Sequence, residues 1–416
     1  MKKYFVFLGF MLILHNVSAQ SLLEIYKKGT VKLIPDTEYG KGNQWEKVFE
    51  TYYDTLHHGL YPAPMGNRKS LVVMPDGSVV VSHPYRDFYS MFDPNGKFVK
   101  EFGIKEKSGK MRTKIKPIQG IINNNFYTDF DNTGKSICFD FNGNYVKTLT
   151  VDYMVMQTVP MSNNKIALVG WVIWKDRRRD LVALIDYQTN EHKIIWDYFY
   201  VQKGDNFTFS ESEGFKETPM PKGVPVGEGL RPQLAFVNNR LIVAIPNSGE
   251  ILIYNANGKL ISKEKAEWEP KYISVEDQKE SLRKTIERVT YEQEHKENKG
   301  YRYFPDLTTR LKDLKADLEN INTPKALPMF SNVIKDSDGN LLFFEMAETE
   351  GGNKFNVWIY QDGGKFVCQS SFVCDDFDLI ITPSKMVFHN GYIYSLQTLK
   401  NAKGNPLRLV RFKVMN

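Results

Sequence analysis

Cysteine is scarce in this chain. Three of its 416 residues are cysteines: Cys138, Cys368 and Cys374. An odd, small number does not make the disulfide framework of a small secreted scaffold. Cys368 and Cys374 are spaced to pair across a turn, whereas small buried apolar residues on strands is the plainer reading. No cysteine spacing offers a zinc site. Long apolar runs are also missing. The stretch from residue 4 to 14 is the longest, and a bilayer span takes about 20 residues. Nor does one sign of charge dominate. Lys plus Arg is 55 and Asp plus Glu 49, a net +6, which gives no reason to expect nucleic acid. Enzyme signatures are absent as well: no HExxH, no GxSxG elbow, no Walker lysine loop, no GxGxxG running from strand into helix. The seven histidines are scattered, and His57-His58 are adjacent rather than at ligand spacing.

What is present reads as a globular, exported, β-rich protein. Apolar residues make up 42% and charged residues 25%, so a disordered chain is excluded. Met1-Lys2-Lys3 is a short basic start before the apolar stretch. Val17-x-Ala19 is the small-residue pattern of a signal-peptide cleavage site, so residues 1–19 are expected to be removed. No Cys follows the apolar stretch to carry a lipid anchor. The mature chain, 20–416, is therefore expected in the periplasm, on the cell surface or outside the cell.

A strand–turn–strand unit repeats along the chain. Its first copy runs SLVVM, PDG, SVVVS, HPYRD, FYSMFD, PNG, KFVKEFG from Ser70 to Gly103. Asp-Gly and Asn-Gly supply the positive φ that tight hairpins require, and the strands are β-branched and aromatic. This predicts a four-stranded antiparallel meander, strands a to d. First turns recur at Asn123-Asn124, Asn163-Asn164, Asn238-Asn239, Asp338-Gly339 and Asn390-Gly391. Second turns recur at Asn142-Gly143, residues 188–190, Asn257-Gly258 and Asp362-Gly363. The sixth unit ends after strand c, and a lone strand, residues 30–34, precedes the first unit. Ring closure resolves both, because the early strand then serves as strand d of the last unit, beside residues 407–414. A closed ring leaves no bare sheet edges between units. The fold expected is all-β: a six-bladed β-propeller closed by its N-terminal strand.

Two intervals between units are overlong. Residues 201–231 are rich in Gly, Pro and polar residues and predict a long loop. Residues 267–328 predict an α-helical hairpin insertion between blades four and five. Ser274-x-x-Asp277 approximates a capping box. Leu282, Ile286 and Val289 form one stripe, and Leu307, Leu311, Leu314 and Leu318 another, with Gly300 and Pro305 between them.

The repeat ending Phe92-Asp93-Pro94-Asn95-Gly96-Lys97-Phe98 resembles that of NHL and TolB-like six-bladed propellers. With the leader, the helical segment and MFSNVIKDSDGN at 329–340, the chain resembles exported propellers common in Bacteroidota. The resemblance implies a fold, not an activity: such propellers serve as scaffolds, ligand binders, lactonases and lyases. A zinc-dependent lyase of this kind would need histidines from several blades at the channel, and His83, His192 and His389 are not spaced to converge. A calcium-dependent lactonase would need Glu, Asn and Asp along the axis, so calcium is the one cofactor left open.

In such a ring the a–b and c–d turns share one face. The b–c loops share the other, where binding residues concentrate on a rigid scaffold. Blade one offers His83, Tyr85 and Arg86 there. Blade three offers Trp174, Arg177, Arg178 and Arg179. Arginine forks suit carboxylate or sulfate, and aromatic rings offer a stacking face. These residues are the candidate ligand site. The expected partner is an anionic or sugar-like small molecule, or a protein. The expected function is non-catalytic binding; the alternative is a metal-dependent, lactonase-like hydrolase or lyase at the channel mouth.

Overall fold

The computed structural model describes residues 21–49, 71–83, 88–112, 116–174, 177–203, 232–294, 307–346, 354–361, 363–379, 386–403 and 405–416. It also describes short strands at 53–54, 59–60, 206–210 and 217–218. The leader and its cleavage site lie outside the described residues.

The described chain is mostly β, in many small sheets with few helices. Sheet one is an antiparallel meander of Leu71–Val73, Val79–Ser82, Tyr89–Phe92 and Phe98–Phe102. Sheet two repeats it with Ile118–Ile122, Asn125–Thr128, Lys135–Asp140 and Tyr145–Thr150. Sheet three begins at Met154–Pro160 and continues through Lys165–Trp174, Arg177–Asp186 and His192–Lys203. Sheet four holds Gln233–Val237, Arg240–Ile245, Glu250–Asn255 and Leu260–Lys265. A nine-stranded sheet takes in the fifth meander, Thr30–Pro35 and the C-terminal strands. It starts with the meander Phe330–Lys335, Leu341–Glu345, Lys354–Tyr360 and Phe366–Val373. It ends with Leu407–Met415 and Tyr392–Leu399, the latter also pairing Met386–His389 and Phe377–Asp378.

The turns have the local cause expected of them. Asn123, Asn124, Asn164, Asn238, Asn239 and Asn390 all have positive φ. So do Gly77, Gly96, Gly143, Gly258 and Gly339. In the fifth unit's second turn the left-handed residue is Gly364, not Gly363. An Asp or Asn opens many of these turns and accepts N–H bonds from two and four residues on. Asp93 Oδ1 does so from Asn95 and Lys97, each at 2.9 Å. Asp140 Oδ1 does so from Asn142 and Asn144, each at 2.8 Å. Such side chains satisfy the turn's orphan donors.

Sheets pack face to face through apolar clusters that alternate around the chain. Val80, Tyr89, Phe126 and Phe139 join sheets one and two. Leu149, Leu168 and Leu181 join two and three. Val169, Val182, Phe236 and Val243 join three and four. Ile242, Ile253, Phe330 and Phe343 continue to the fifth meander. Val79, Val81, Tyr394 and Leu409 bring the last strands back to sheet one. First strands touch in sequence from Leu71–Val73 through to Phe330–Lys335, and Met386–His389 packs against Leu71–Val73. Sheets stacked side by side with first strands inward and the last returning to the first form a β-propeller.

Closure happens where the sequence places it. Thr30–Pro35 runs antiparallel to Leu407–Met415, with Leu33 opposite Val414 and Pro35 opposite Phe412. It also pairs in parallel with Phe366–Val373, Thr30 facing Ser371, a contact that sequence reading did not anticipate. Val31 and Leu33 are buried in a core with Phe344, Phe372 and Phe412. The preceding helix, Leu22–Tyr26, docks on the fifth meander's first turn. Tyr26 Oη donates to Asp336 Oδ2 at 3.0 Å and Leu22 N–H to Asp338 Oδ2 at 2.9 Å. Burial raises the Asp336 carboxyl above the usual range, against its hydrogen bonds from Asn340 and Tyr26.

The region 267–328 holds two helices, Val275–Glu294 and Leu307–Asn320, packed through Val289, Leu307 and Leu311. Asp277 N–H donates to Ser274 Oγ at 3.0 Å, the N-cap expected. Tyr272–Ile273 pairs with Lys325–Ala326 at the base of the hairpin.

Glycine is required where sheets meet. Gly143 has φ +83°, and a Cβ there would lie 2.2 Å from the Gly103 carbonyl oxygen. Gly143→Ala is expected to cost about 2–4 kcal/mol, from backbone strain plus the forced separation of sheets one and two. Urea unfolding with an unchanged m-value checks it.

Candidate functional site

The tight-turn face is built first, because its side chains are spent on one another. Ser162 Oγ donates to Asn239 Oδ1 at 2.7 Å, linking the first turns of sheets three and four. Asn163 Nδ2 donates to the Ala256 carbonyl at 2.8 Å, linking a first turn to a second turn. Asn125 Nδ2 donates to Tyr187 Oη at 3.2 Å, and Gly391 N–H to Ser337 Oγ at 3.1 Å. First and second turns therefore lie on one face, as expected of the repeat, and the b–c connections lie at the other end of the strands.

That opposite end differs from expectation in sheet three. Trp174 and residues 177–180, expected in a loop, are strand. Lys165–Trp174 and Arg177–Asp186 pair through to Trp174 opposite Arg177, with Ile173 opposite Arg178 and Val172 opposite Arg179. His192–Lys203 continues alongside, placing Arg179 opposite Phe199. Residues 201–231, expected as one loop, begin as strand and turn back through Asn206–Ser210 and Glu217–Thr218. The result is a ribbon of strands 10 and 12 residues long, where those of sheet one have three to five. The charged run reads as a loop in sequence because strands that outrun the core need no apolar alternation.

The candidate residues fall into separate places. Trp174, Arg177, Arg178 and Arg179 share the ribbon. Arg179 Nε donates to Asp197 Oδ2 at 2.9 Å and its Nη2 joins the same oxygen, so this guanidinium is committed within the sheet. His83 lies in sheet one and is buried. Its Nε2 shares a 2.7 Å hydrogen bond with Ser90 Oγ, and its ring neighbours Phe49 and Phe88. Those contacts make it a core residue of the sheet one end. Tyr85 and Arg86 lie outside the described residues.

The b–c turn of sheet two is described and self-satisfied. Asp131 Oδ1 accepts from Thr133 Oγ1 at 2.6 Å, Thr133 N–H at 2.8 Å and Lys135 N–H at 3.1 Å. Burial works against its charge, but those bonds outweigh it and hold its pKa below the ordinary value. His192 opens the last strand of the sheet three meander, and His389 ends the strand Met386–His389. Among the described residues, no three His, Cys, Asp or Glu side chains are grouped to hold a metal ion. All three cysteines are free, and burial pushes the Cys138 thiol up to about 12. Among the described residues, no helix is long and apolar enough to cross a membrane.

Sequence reasoning missed one arrangement at the seam. Arg411 Nη2 and Nε both reach Asp36 Oδ2, at 2.7 and 3.2 Å. Its guanidinium lies 4.7 Å from the ring centroids of both Tyr39 and Tyr392. Nothing local to Asp36 announces a partner 375 residues away.

No family model matches this chain, and no curated protein matches it. Solved structures do. A member of the DUF4221 family from Bacteroides vulgatus is similar over 93% of this chain and 99% of its own, at 11% identity and TM-score 0.48. BamB from Moraxella catarrhalis is similar over 82% and 81%, at 9% identity and TM-score 0.31. Virginiamycin B lyase from Staphylococcus aureus, in a catalytically inactive form with quinupristin, is similar over 85% and 97%, at 10% identity and TM-score 0.36. These likenesses are loose, and no activity carries over from them.

Proposed function

We propose that this chain is an exported six-bladed β-propeller that binds a ligand or partner protein on the face opposite its tight turns, without chemistry of its own. One repeated contact supports six equivalent blades. At four junctions the end of an outer strand, or the residues just after it, meets the second turn of the next sheet: Gly103 meets Gly143, and Glu264 meets Gly364. Thr150 N–H donates to Asn190 Oδ1 at 2.9 Å in the same way. Gly40 N–H, just after the closing strand, donates to the Asn95 carbonyl at 2.8 Å. Thr30–Pro35 thus behaves as the outer strand of a sixth blade, and the helices at 275–320 as an insertion between blades four and five.

The observation that carries the functional reading is the asymmetry of the two faces. Turns on one face are tied to each other, while the sheet three ribbon with its Trp174–Arg177 pair extends at the other. An anionic or sugar-like ligand suits arginine and indole together. A thermal-shift screen across sugars, organic acids and peptides tests it, since a ligand at a hundredfold excess over its Kd stabilises by about 2.7 kcal/mol. The double variant Trp174→Ala, Arg178→Ala is expected to lose that shift while melting normally alone. Full retention of the shift refutes this site. Calcium or zinc bound in stoichiometric amount, with the ligand lost on chelation, would replace this reading with a hydrolase or lyase.

A further inference from the structure

A second surface lies on the outer flank of sheets one and two, away from the ribbon. Between residues 97 and 112 stand six basic residues, Lys97, Lys100, Lys105, Lys107, Lys110 and Arg112, against Glu101 and Glu106. That is a net +4 in sixteen residues of a chain whose total is +6. Among the described residues none of the six makes an ion pair within 4.0 Å, although Lys105 acts on the Asp140 carboxylate from farther away. Lys100 and Lys107 lie instead over the rings of Phe102 and Tyr145, at 5.9 and 5.4 Å.

The segment is a built feature. Lys105 bridges Met111 on one side and Asn144 of sheet two on the other. Lys105 N–H donates to the Gly143 carbonyl at 2.7 Å, and Ile104 beneath is 1% exposed. Large apolar side chains accompany the lysines on the outside: Val99 is 53% exposed, Met111 48% and Val146 43%. Lysines alone on an edge strand serve to keep other strands away. That purpose does not call for exposed Val99, Met111 and Val146 beside them.

We propose that this flank docks on a membrane surface bearing anionic lipid headgroups. Basic side chains answer the headgroup charge, and the apolar ones enter the boundary beneath it. A soluble polyanion satisfies the first group and offers nothing to the second. The proposal is independent of the ligand reading above.

The test is sedimentation of the purified protein with equimolar phosphatidylglycerol–phosphatidylcholine vesicles, against phosphatidylcholine alone, at low and high salt. Binding to the anionic vesicles only, weakened by salt, is expected. Each lysine near such a surface is worth roughly fivefold in partitioning. The triple variant Lys105→Gln, Lys107→Gln, Lys110→Gln should therefore lose on the order of a hundredfold. Val99→Ser, Met111→Ser should lose about tenfold. Both variants change exposed side chains, and unchanged melting confirms their folding. No sedimentation with anionic vesicles overturns the proposal. So does tight heparin binding together with a serine variant that binds vesicles like the parent, because the surface would then serve soluble polyanions.

Discussion

Leu33→Asp is expected to cost about 4–5 kcal/mol or to prevent folding altogether. Leu33 is 3% exposed, in a cluster with Val31, Phe372 and Phe412. The cluster around it is apolar, and an unpaired buried charge is among the most costly substitutions. Leu33→Ala, which removes only packing, should cost about 2–4 kcal/mol. Position 32 provides the contrast. Lys32 is exposed on the other side of the same strand, so Lys32→Asp should change stability by less than about 0.5 kcal/mol. The strand hydrogen-bonds on both edges, to 371–373 and 412–415. Its loss therefore opens the ring on two sides, and chemical denaturation should turn from one transition into a broad one. If Leu33→Asp unfolds like the parent, the strand is not part of the closure.

Arg411→Ala is the second large effect, at about 2–3 kcal/mol. The substitution removes both hydrogen bonds to Asp36, the stacking between Tyr39 and Tyr392, and a 3.2 Å bond to the Pro94 carbonyl. It also has a pH signature. The hydrogen bond from Arg411 holds the Asp36 carboxyl below its usual range. The folded state therefore binds that proton less readily than the unfolded chain. The pair's contribution is complete above the unfolded carboxylate pKa of about 4, and is lost as pH falls through the lower folded value. Parent and Arg411→Ala should accordingly converge in stability as the solution is acidified from about pH 5 downward. Parallel stability curves through the acid range would show that Asp36 is not the partner that matters.

The turns were legible because their requirement is local. A left-handed residue must be Gly, Asn or Asp at low cost, so Asn123-Asn124 and Asn238-Asn239 announce themselves. The N-cap at Ser274 was legible for the same reason: donor and acceptor are three residues apart. The ribbon of sheet three was not. Arg177 to Arg179 carry no apolar alternation, and their strand neighbours at 199–201 lie beyond another turn. Even the candidate site was only half legible. The sequence grouped His83 with the arginines by their shared loop position, whereas the fold puts His83 among Ser90, Phe49 and Phe88 and commits Arg179 to Asp197.

The sequence by itself determined the repeating unit, the order of its turns and the need for an early strand to finish the last sheet. Each of these follows from φ preferences and strand patterns within a few residues. Only the tertiary structure decided what that early strand touches besides its expected mate, which arginine is already paired, and which flank gathers lysines beside bare Val99 and Met111. Parallel pairing, ion pairs across 375 residues and side-chain exposure depend on where distant segments arrive, and no local preference encodes an arrival.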